Sequence, residues 1–305
     1  MPSSPLSIDY VTLAASTAAV DAFILPKEAA IVAFAERYGI PLASIAAIGH
    51  DKKDLAFLQT SGLGFVGAPA NARPEVLEAV SGFADRGYVS SHSYFQGFMD
   101  FYSETQLRDI RFVVTARSGL LKNGVLDSSA DLSRVVQHMG KRGWPYVCLL
   151  TASSLEQNVD FFSAAGLDDR LKGRKEIKAH PYLALLENGT LHYNVLDGTV
   201  QTFSDTLDQR LLHVLQGEFT LTLRRFLRDD VLPRFGLRQS AAYEDQRGAV
   251  YVPRKKSMVT VNIPRAFPDG TPDYRRSEQA SELRSEIQGA MIAAAKEVDI
   301  LYRVL

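Results

Sequence analysis

The amino-acid sequence predicts an α/β protein: a parallel-sheet core with a second, α+β module. Three observations carry this. Short apolar runs that end in polar loops and lead into helical segments recur along the first half of the chain, which is the pattern of strand-loop-helix units. The segment IRFVVT, Ile110 to Thr115, is nearly all apolar, as strands covered on both faces are. From about Pro181 the character changes to short strands separated by long helical stretches, an α+β pattern.

Taken in order, KEAAIVAFAER (Lys27 to Arg37) sets Ile31, Phe34 and Ala35 at helical spacing, and Gly39-Ile40-Pro41 ends that helix. Ile45 to Ile48 is a short apolar strand ending at Gly49. Asp54 to Thr60 reads as a helix and Leu63 to Val66 as a strand, before the turn-rich Gly67 to Pro74. Ser103 to Asp109 is a polar connector, and the strand Ile110 to Thr115 opens into the loop Ala116 to Gly124. A helix from Asp131 to Lys141 leads to the strand Tyr146 to Leu150, which ends at Thr151 and precedes the helical Ser154 to Ala165. Folds of this kind gather their ligand-binding loops at the carboxyl ends of the strands.

Beyond Pro181, Tyr182 to Leu186, Thr190 to Asn194 and Thr199 to Phe203 read as strands and Leu207 to Leu227 as a long helix. Ala249 to Val252 and Met258 to Ile263 are strands again. The closing helix, Ser277 to about Lys296, spaces Leu283, Ile287, Met291, Ile292 and Ala295 mostly by three and four.

The chain has 305 residues, 46% hydrophobic and 23% charged. That length gives two domains, or one core with a large insertion, at roughly 100–200 residues per domain. With 34 basic and 35 acidic side chains the formal charge is −1, so the uncompensated cations that wrap nucleic acid are missing. The single cysteine, Cys148, rules out an intramolecular disulfide framework or a CxxC metal site and fits a cytoplasmic protein. Met1 to Ile8 has no basic leader character, and no apolar run approaches the roughly 20 residues that span a bilayer, so no membrane contact is expected.

IRFVVTARSGLLKNG, with VCLLTASS about thirty residues later, resembles the first and second motifs of the haloacid dehalogenase (HAD) superfamily. There the first strand ends in Asp-x-Asp-Gly and the second in Thr or Ser. PKEAAIVAFAERYGIPLASIAAIGHDKKDLAFLQTSGLGFVGAPANARPEV resembles the third and fourth motifs: a Lys on a helix, Gly-Asp-x-x-x-Asp after a strand, then small residues leading to Asn-Ala-x-Pro-Glu-Val. LLENGTL is similar to the start of the large inserted cap in the branch that includes phosphomannomutases and Cof-like sugar phosphatases. In this chain motifs three and four precede one and two, and the strand expected before the third-motif Lys stands at the amino terminus as SIDYVTLAASTAAVDAFILPKEA. The resemblance therefore implies a circularly permuted HAD fold, with a Rossmannoid parallel-sheet core and an α+β cap. Its core would span 16–180 and its C2-type cap 181–305, completed by residues 1–15.

The same comparison locates the chemistry. A HAD phosphatase forms an aspartyl phosphate on its first motif-one Asp, because a carboxylate is a competent nucleophile and the acyl phosphate hydrolyses readily; Ala116 stands there. Ser118 replaces the acid/base Asp, and His50 replaces the first motif-four acid, which the family uses to hold Mg²⁺. The phosphate-binding half survives: Thr151 matches the motif-two hydroxyl, Lys27 the motif-three cation and Asp54 the second motif-four acid, with Asp51 an added carboxylate. The ligand-binding set is thus Lys27, Ala116, Arg117, Ser118, Thr151 and Ala152. No cofactor is expected, Mg²⁺ only if the family activity is retained. Lost carboxylates near Ala116 make the locus more favourable to anions, and loss of a nucleophile costs many powers of ten in rate.

Each residue also has a plainer reading. Lys27 is a first-turn helix residue that solvent can hold, and Thr151 a residue type favoured as a helix cap. His50, beside Asp51 and Asp54, is either structural or a base or metal ligand. Ser118, His50 and Asp51 suggest a Ser-His-Asp set only superficially, since GxSxG is missing. His92, His138, His180, His192 and His213 show no paired spacing and receive no role, and Arg254, Lys255 and Lys256 read as a solvated turn. Two functional classes remain. One is a catalytically degenerate protein that binds a phosphorylated or anionic small molecule, or a protein partner. The other is an enzyme with repurposed chemistry on a sugar phosphate or nucleotide sugar through His50, Asp51 or Asp54.

Overall fold

The structure is a computed structural model. It describes residues 14–15, 19–22, 27–121, 134–135, 137–139, 144–155, 158, 162, 182–189, 191–194, 198–202, 207–241, 248–253, 255, 259–264, 266–271 and 277–304. Most of the helices expected at 131–141 and 154–165, together with His180, Arg254 and Lys256, lie outside the described residues.

In chain order the elements are β1 (Ala14–Ala15), β2 (Ala19–Ala22), α1 (Lys27–Tyr38), β3 (Ile45–Ile48), α2 (Leu55–Leu58), β4 (Phe65–Ala68), α3 (Pro74–Ser81) and β5 (Gly87–Val89). They continue with α4 (Tyr94–Glu104), β6 (Phe112–Thr115), β7 (Tyr146–Leu150), β8 (Tyr182–Leu186), β9 (Leu191–Asn194) and β10 (Val200–Thr202). The described elements close with α5 (Leu207–Phe226), β11 (Arg238–Ser240), β12 (Ala249–Tyr251), β13 (Val259–Asn262) and α6 (Ser277–Val304). Two compact units result, one of residues 25–203 and the other of 1–24 with 204–305.

The first unit is built on an eight-stranded sheet in the order β10-β9-β8-β7-β6-β3-β4-β5. The six strands from β8 to β5 run parallel, while β9 and β10 are antiparallel additions at one edge. Side chains of successive strand residues point to opposite faces, and both faces are covered. Ile45 and Ala47 of β3, with Phe112 and Val114 of β6, join Ile31, Phe34 and Phe57 in one apolar cluster. Ala46, Ile48 and Val113 face the other way, against Phe98, Phe101 and Tyr102 of α4. Burial on both faces is why these strands read as apolar runs without alternation. The chain runs outward from β3 through β4 to β5, then returns to place β6 on the other side of β3. The sheet order thus reverses between β3 and β6, and at such a reversal the loops diverge to leave a crevice at the carboxyl ends of the strands.

In the second unit the sheet order is β1-β2-β13-β12-β11, antiparallel except for β11 beside β12. Phe219 and Leu223 of α5, and Leu283, Ile287 and Met291 of α6, bury against Val250, Val259 and Val261 of its strands.

Two expectations about organisation need correction. The strands at 182–202, assigned from the sequence to the second module, belong to the eight-stranded sheet: Leu149 and Leu150 of β7 pair with Ala184 and Leu185 of β8, and the β8–β9 hairpin extends that sheet. Glu187–Gly189, within LLENGTL, forms a turn between β8 and β9, and the second unit resumes at Ser204. At the other end, residues 19–22 pair with β13, so the stretch 16–24 lies in the second unit and not in the core. The change of composition near Pro181 marks a switch from parallel to antiparallel pairing within one sheet, which local pattern does not separate from a domain boundary. The elements β5, α3, α4 and β11 have no counterpart among the sequence-predicted elements.

Candidate functional site

The loops at the sheet reversal carry most of the residues singled out by sequence. Lys27 opens α1 and shares its buried face with Ala30, Ile31, Phe34 and Ala35, so the helical stripe that packs the core also carries the ammonium inward. Its Nζ donates to Asp54 Oδ1 at 2.5 Å and lies 5.2 Å from the centroid of the Phe57 ring. Asp54 is fully buried. Its other oxygen accepts the backbone N–H groups of His50 (3.0 Å) and Asp51 (3.1 Å). Gly49 precedes this turn, and a β-carbon there would meet Asp54 Cβ at 2.6 Å, so only glycine lets the strand end come so close to the acid. Burial opposes ionisation of Asp54, but the Lys27 ammonium, the neighbouring His50 ring and the hydrogen bonds from Lys27 and His50 prevail. They hold its carboxyl well below the usual carboxylate range. Asp51 caps the same turn, its Oδ1 accepting from Lys53 N at 3.3 Å.

His50 bridges to the facing loop. Its Nδ1 is 3.5 Å from Asp54 Oδ2, and its ring covers Gly119 so closely that a β-carbon there would meet His50 Nε2 at 2.1 Å. Gly119 has φ +74°, a left-handed conformation natural to glycine. Pairing of Ile48 with Thr115 sets the ends of β3 and β6 side by side, which brings His50 next to the loop of Ala116, Arg117 and Ser118. Ala116 is buried, and Arg117 is buried too, with Nη1 donating to Asn158 Oδ1 at 3.1 Å. Ser118 is exposed.

One strand further along, Thr115 pairs with Leu149, so Thr151 lies near the end of β7 beside the same loop. Thr151 Oγ1 accepts from Ser153 N at 3.1 Å and donates to Ser153 Oγ at 3.2 Å, holding the turn of Ala152 and Ser153. Ser153 O accepts from Glu187 N, and the turn Glu187–Gly189 presses on Ala30, one helical turn beyond Lys27. Lys27, Asp54, His50 and Gly119 therefore form one continuous cluster, and Thr151 stands at the end of β7, the strand beside β6.

Two features escaped the sequence reading. Asn71 ties the loops together, its Nδ2 donating to Gly119 O (3.3 Å) and its Oδ1 accepting from Tyr94 N (2.5 Å). A small residue in a turn-rich stretch gives no sign of such a distant partner. His92, given no role from its spacing, is held through Nδ1 at 2.8 Å from Asp100 Oδ2, which also accepts from Ser90 Oγ at 2.5 Å. That partner comes from α4, an element the sequence did not reveal.

The donor set does not suit Mg²⁺, which demands near-octahedral oxygen coordination. Ala116 supplies no side-chain oxygen, His50 supplies nitrogen, and both Asp54 oxygens are committed to Lys27 and to two backbone N–H groups. Among the described residues no group of three His, Cys, Asp or Glu side chains could hold a metal ion.

A parallel sheet with its reversal between β3 and β6, and a buried Lys-Asp pair with backbone-bound loops at that reversal, defines a Rossmannoid α/β protein with its polar chemistry at the strand ends. Residues 25–86, which contain Lys27, His50, Asp54 and Asn71, match the family described as haloacid dehalogenase-like hydrolase. The matched segment, 62 of the 305 residues, is similar to that family. Domains of that family bind phosphorylated small molecules and typically use Mg²⁺. No curated protein and no solved structure matches the chain. Among the described residues no helix is long and apolar enough to cross a membrane.

Proposed function

We propose that this protein is a catalytically degenerate HAD domain that binds a phosphorylated or otherwise anionic small molecule without Mg²⁺-dependent turnover. The observation that carries the reading is the pairing at the sheet reversal of an intact Lys27–Asp54 ion pair with Ala116 and Ser118 on the facing loop. The cation and hydroxyl that would hold a phosphoryl group are kept, and the carboxylates that would attack it and donate protons to it are not. Asp54 is committed to Lys27 and two backbone N–H groups, which weighs against its use as a general base in the repurposed-enzyme reading. The order of segments, with the matched residues 25–86 ahead of β6 and β7, is that of a circular permutation, and the 204–305 unit corresponds to the family's cap.

Calorimetric titration of inorganic phosphate with and without Mg²⁺, beside an assay of p-nitrophenyl phosphate hydrolysis, tests this. Binding indifferent to Mg²⁺ with negligible hydrolysis is expected. Mg²⁺-dependent hydrolysis, or no anion binding under any condition, overturns it.

A further inference from the structure

Beyond the end of β5, three side-chain donors converge on one carboxylate. Asp100 Oδ2 accepts from Ser90 Oγ at 2.5 Å and from His92 Nδ1 at 2.8 Å, and Oδ1 accepts from Gln96 Nε2 at 3.1 Å. Burial opposes ionisation of Asp100, but these hydrogen bonds prevail and hold its carboxyl below the usual carboxylate range. An ionised carboxylate only accepts, so the proton between the two groups lies on His92 Nδ1, and the other ring nitrogen, Nε2, carries the lone pair.

The backbone of His92 is fixed as well. Its N–H donates to the buried Ser90 Oγ at 2.9 Å, and its carbonyl accepts from Ala70 N at 2.9 Å. One serine thus positions both the histidine and the carboxylate behind it. Gly97 lets α4 close on this turn, where a β-carbon would meet His92 O at 2.3 Å. The His92 side chain is nevertheless 60% exposed. A surface ion pair contributes little to stability, and a carboxylate with three donors behind a clamped ring is more than such a pair requires. An orienting carboxylate behind an imidazole with an open nitrogen is the arrangement of an activated nucleophile.

We propose that His92 is a phosphoryl-acceptor site, modified at Nε2 by small acyl phosphates. This is separate from anion binding beside Lys27 and does not rest on it. The Nε2 lone pair forms a bond to phosphorus as the bond from phosphorus to the acyl oxygen breaks, and the carboxylate leaves with that electron pair. The ring keeps its Nδ1 proton and becomes a phosphoryl imidazolium whose positive charge faces Asp100. Alkyl phosphate monoesters are not donors, because an alkoxide leaves far less readily than a carboxylate.

Incubation of the full chain with acetyl phosphate in EDTA tests this, followed by intact mass, ³¹P NMR and peptide mapping in alkali. His92 is expected to gain one phosphoryl group at Nε2, at least about tenfold faster than any other histidine of the chain. Asp100→Asn slows this labelling about tenfold or more and leaves the other histidines unchanged, and His92→Gln abolishes it. The position on the ring and the rate relative to the other histidines are read in the unmutated protein, so they decide the matter even where Asp100→Asn does not fold. Labelling of His92 no faster than that of the other histidines, labelling at Nδ1, acetylation in place of phosphorylation, or an undiminished rate in folded Asp100→Asn overturns the proposal.

Discussion

Lys27 Nζ and Asp54 Oδ1 stand 2.5 Å apart, the ammonium at the head of one helix and the carboxylate in the turn after a central strand. The contact is lopsided. Asp54 also receives two backbone N–H groups, whereas Lys27 gains from the carboxylate and the Phe57 ring.

That asymmetry orders two substitutions. Asp54→Ala removes the acceptor of three donors and strands a buried cation, a loss of about 3–5 kcal/mol. Lys27→Met leaves the carboxylate with its backbone donors and a side chain of similar length on the apolar stripe, so it costs less. Urea denaturation of both variants is the check, and equal or inverted losses refute the ordering.

Acid stability depends on at least two groups with separate windows. Burial first, and then the Arg37 charge, lower the His192 pKa from 6.5 to about 4. The folded protein thus keeps this ring neutral where the unfolded chain protonates it. Stability is full above pH 6.5 and declines as pH falls toward 4, by a total on the order of 3 kcal/mol. Asp54, with its carboxyl depressed, contributes stability above the ordinary carboxylate range that is lost as pH drops below about 4. Unfolding free energies from pH 8 to 3 are expected to show both declines, and His192→Gln to remove only the upper one.

Gly119→Ala forces a β-carbon against the His50 ring at a left-handed φ. A loss of roughly 1–3 kcal/mol is expected from the conformational and steric penalties together. Adding His50→Ala removes the steric part, so the double variant is more stable than the sum of the single losses allows. Strict additivity in thermal melts contradicts the placement of the ring.

Cys148 faces the core from β7, and burial pushes its thiol up to about 12. Alkylation by iodoacetamide at pH 8 is expected to proceed only at the rate of global opening, and to become immediate in denaturant. Fast labelling of the native protein tells against the β7 position.

Much of the parallel core is legible locally, because its strands are apolar on both faces. Ile45 to Ile48 and Tyr146 to Leu150 are strands at the expected bounds, and α1 begins at Lys27 and runs one residue past Arg37. The sheet membership of β8 to β10 was not legible, since which sheet a strand joins depends on the Leu149–Ala184 pairing and not on its own residues. The same holds at the site. The resemblance to the third and fourth motifs singles out Lys27 and Asp54 as residues, but the seating of His50 over Gly119 and the tie through Asn71 depend on loops of three different strands meeting.

Antiparallel pairing of β2 with β13 joins Ala22 to Val259. During synthesis the first of these strands leaves the ribosome long before its partner exists, while the whole of 25–203 emerges in between. The eight-stranded sheet can close as soon as its own residues are made, but the other unit is obliged to wait for nearly the entire chain, its early strand carrying unpaired edges meanwhile. Long-range closure of this sort is slow and exposes edges to aggregation, which makes the second unit the later of the two to complete its sheet.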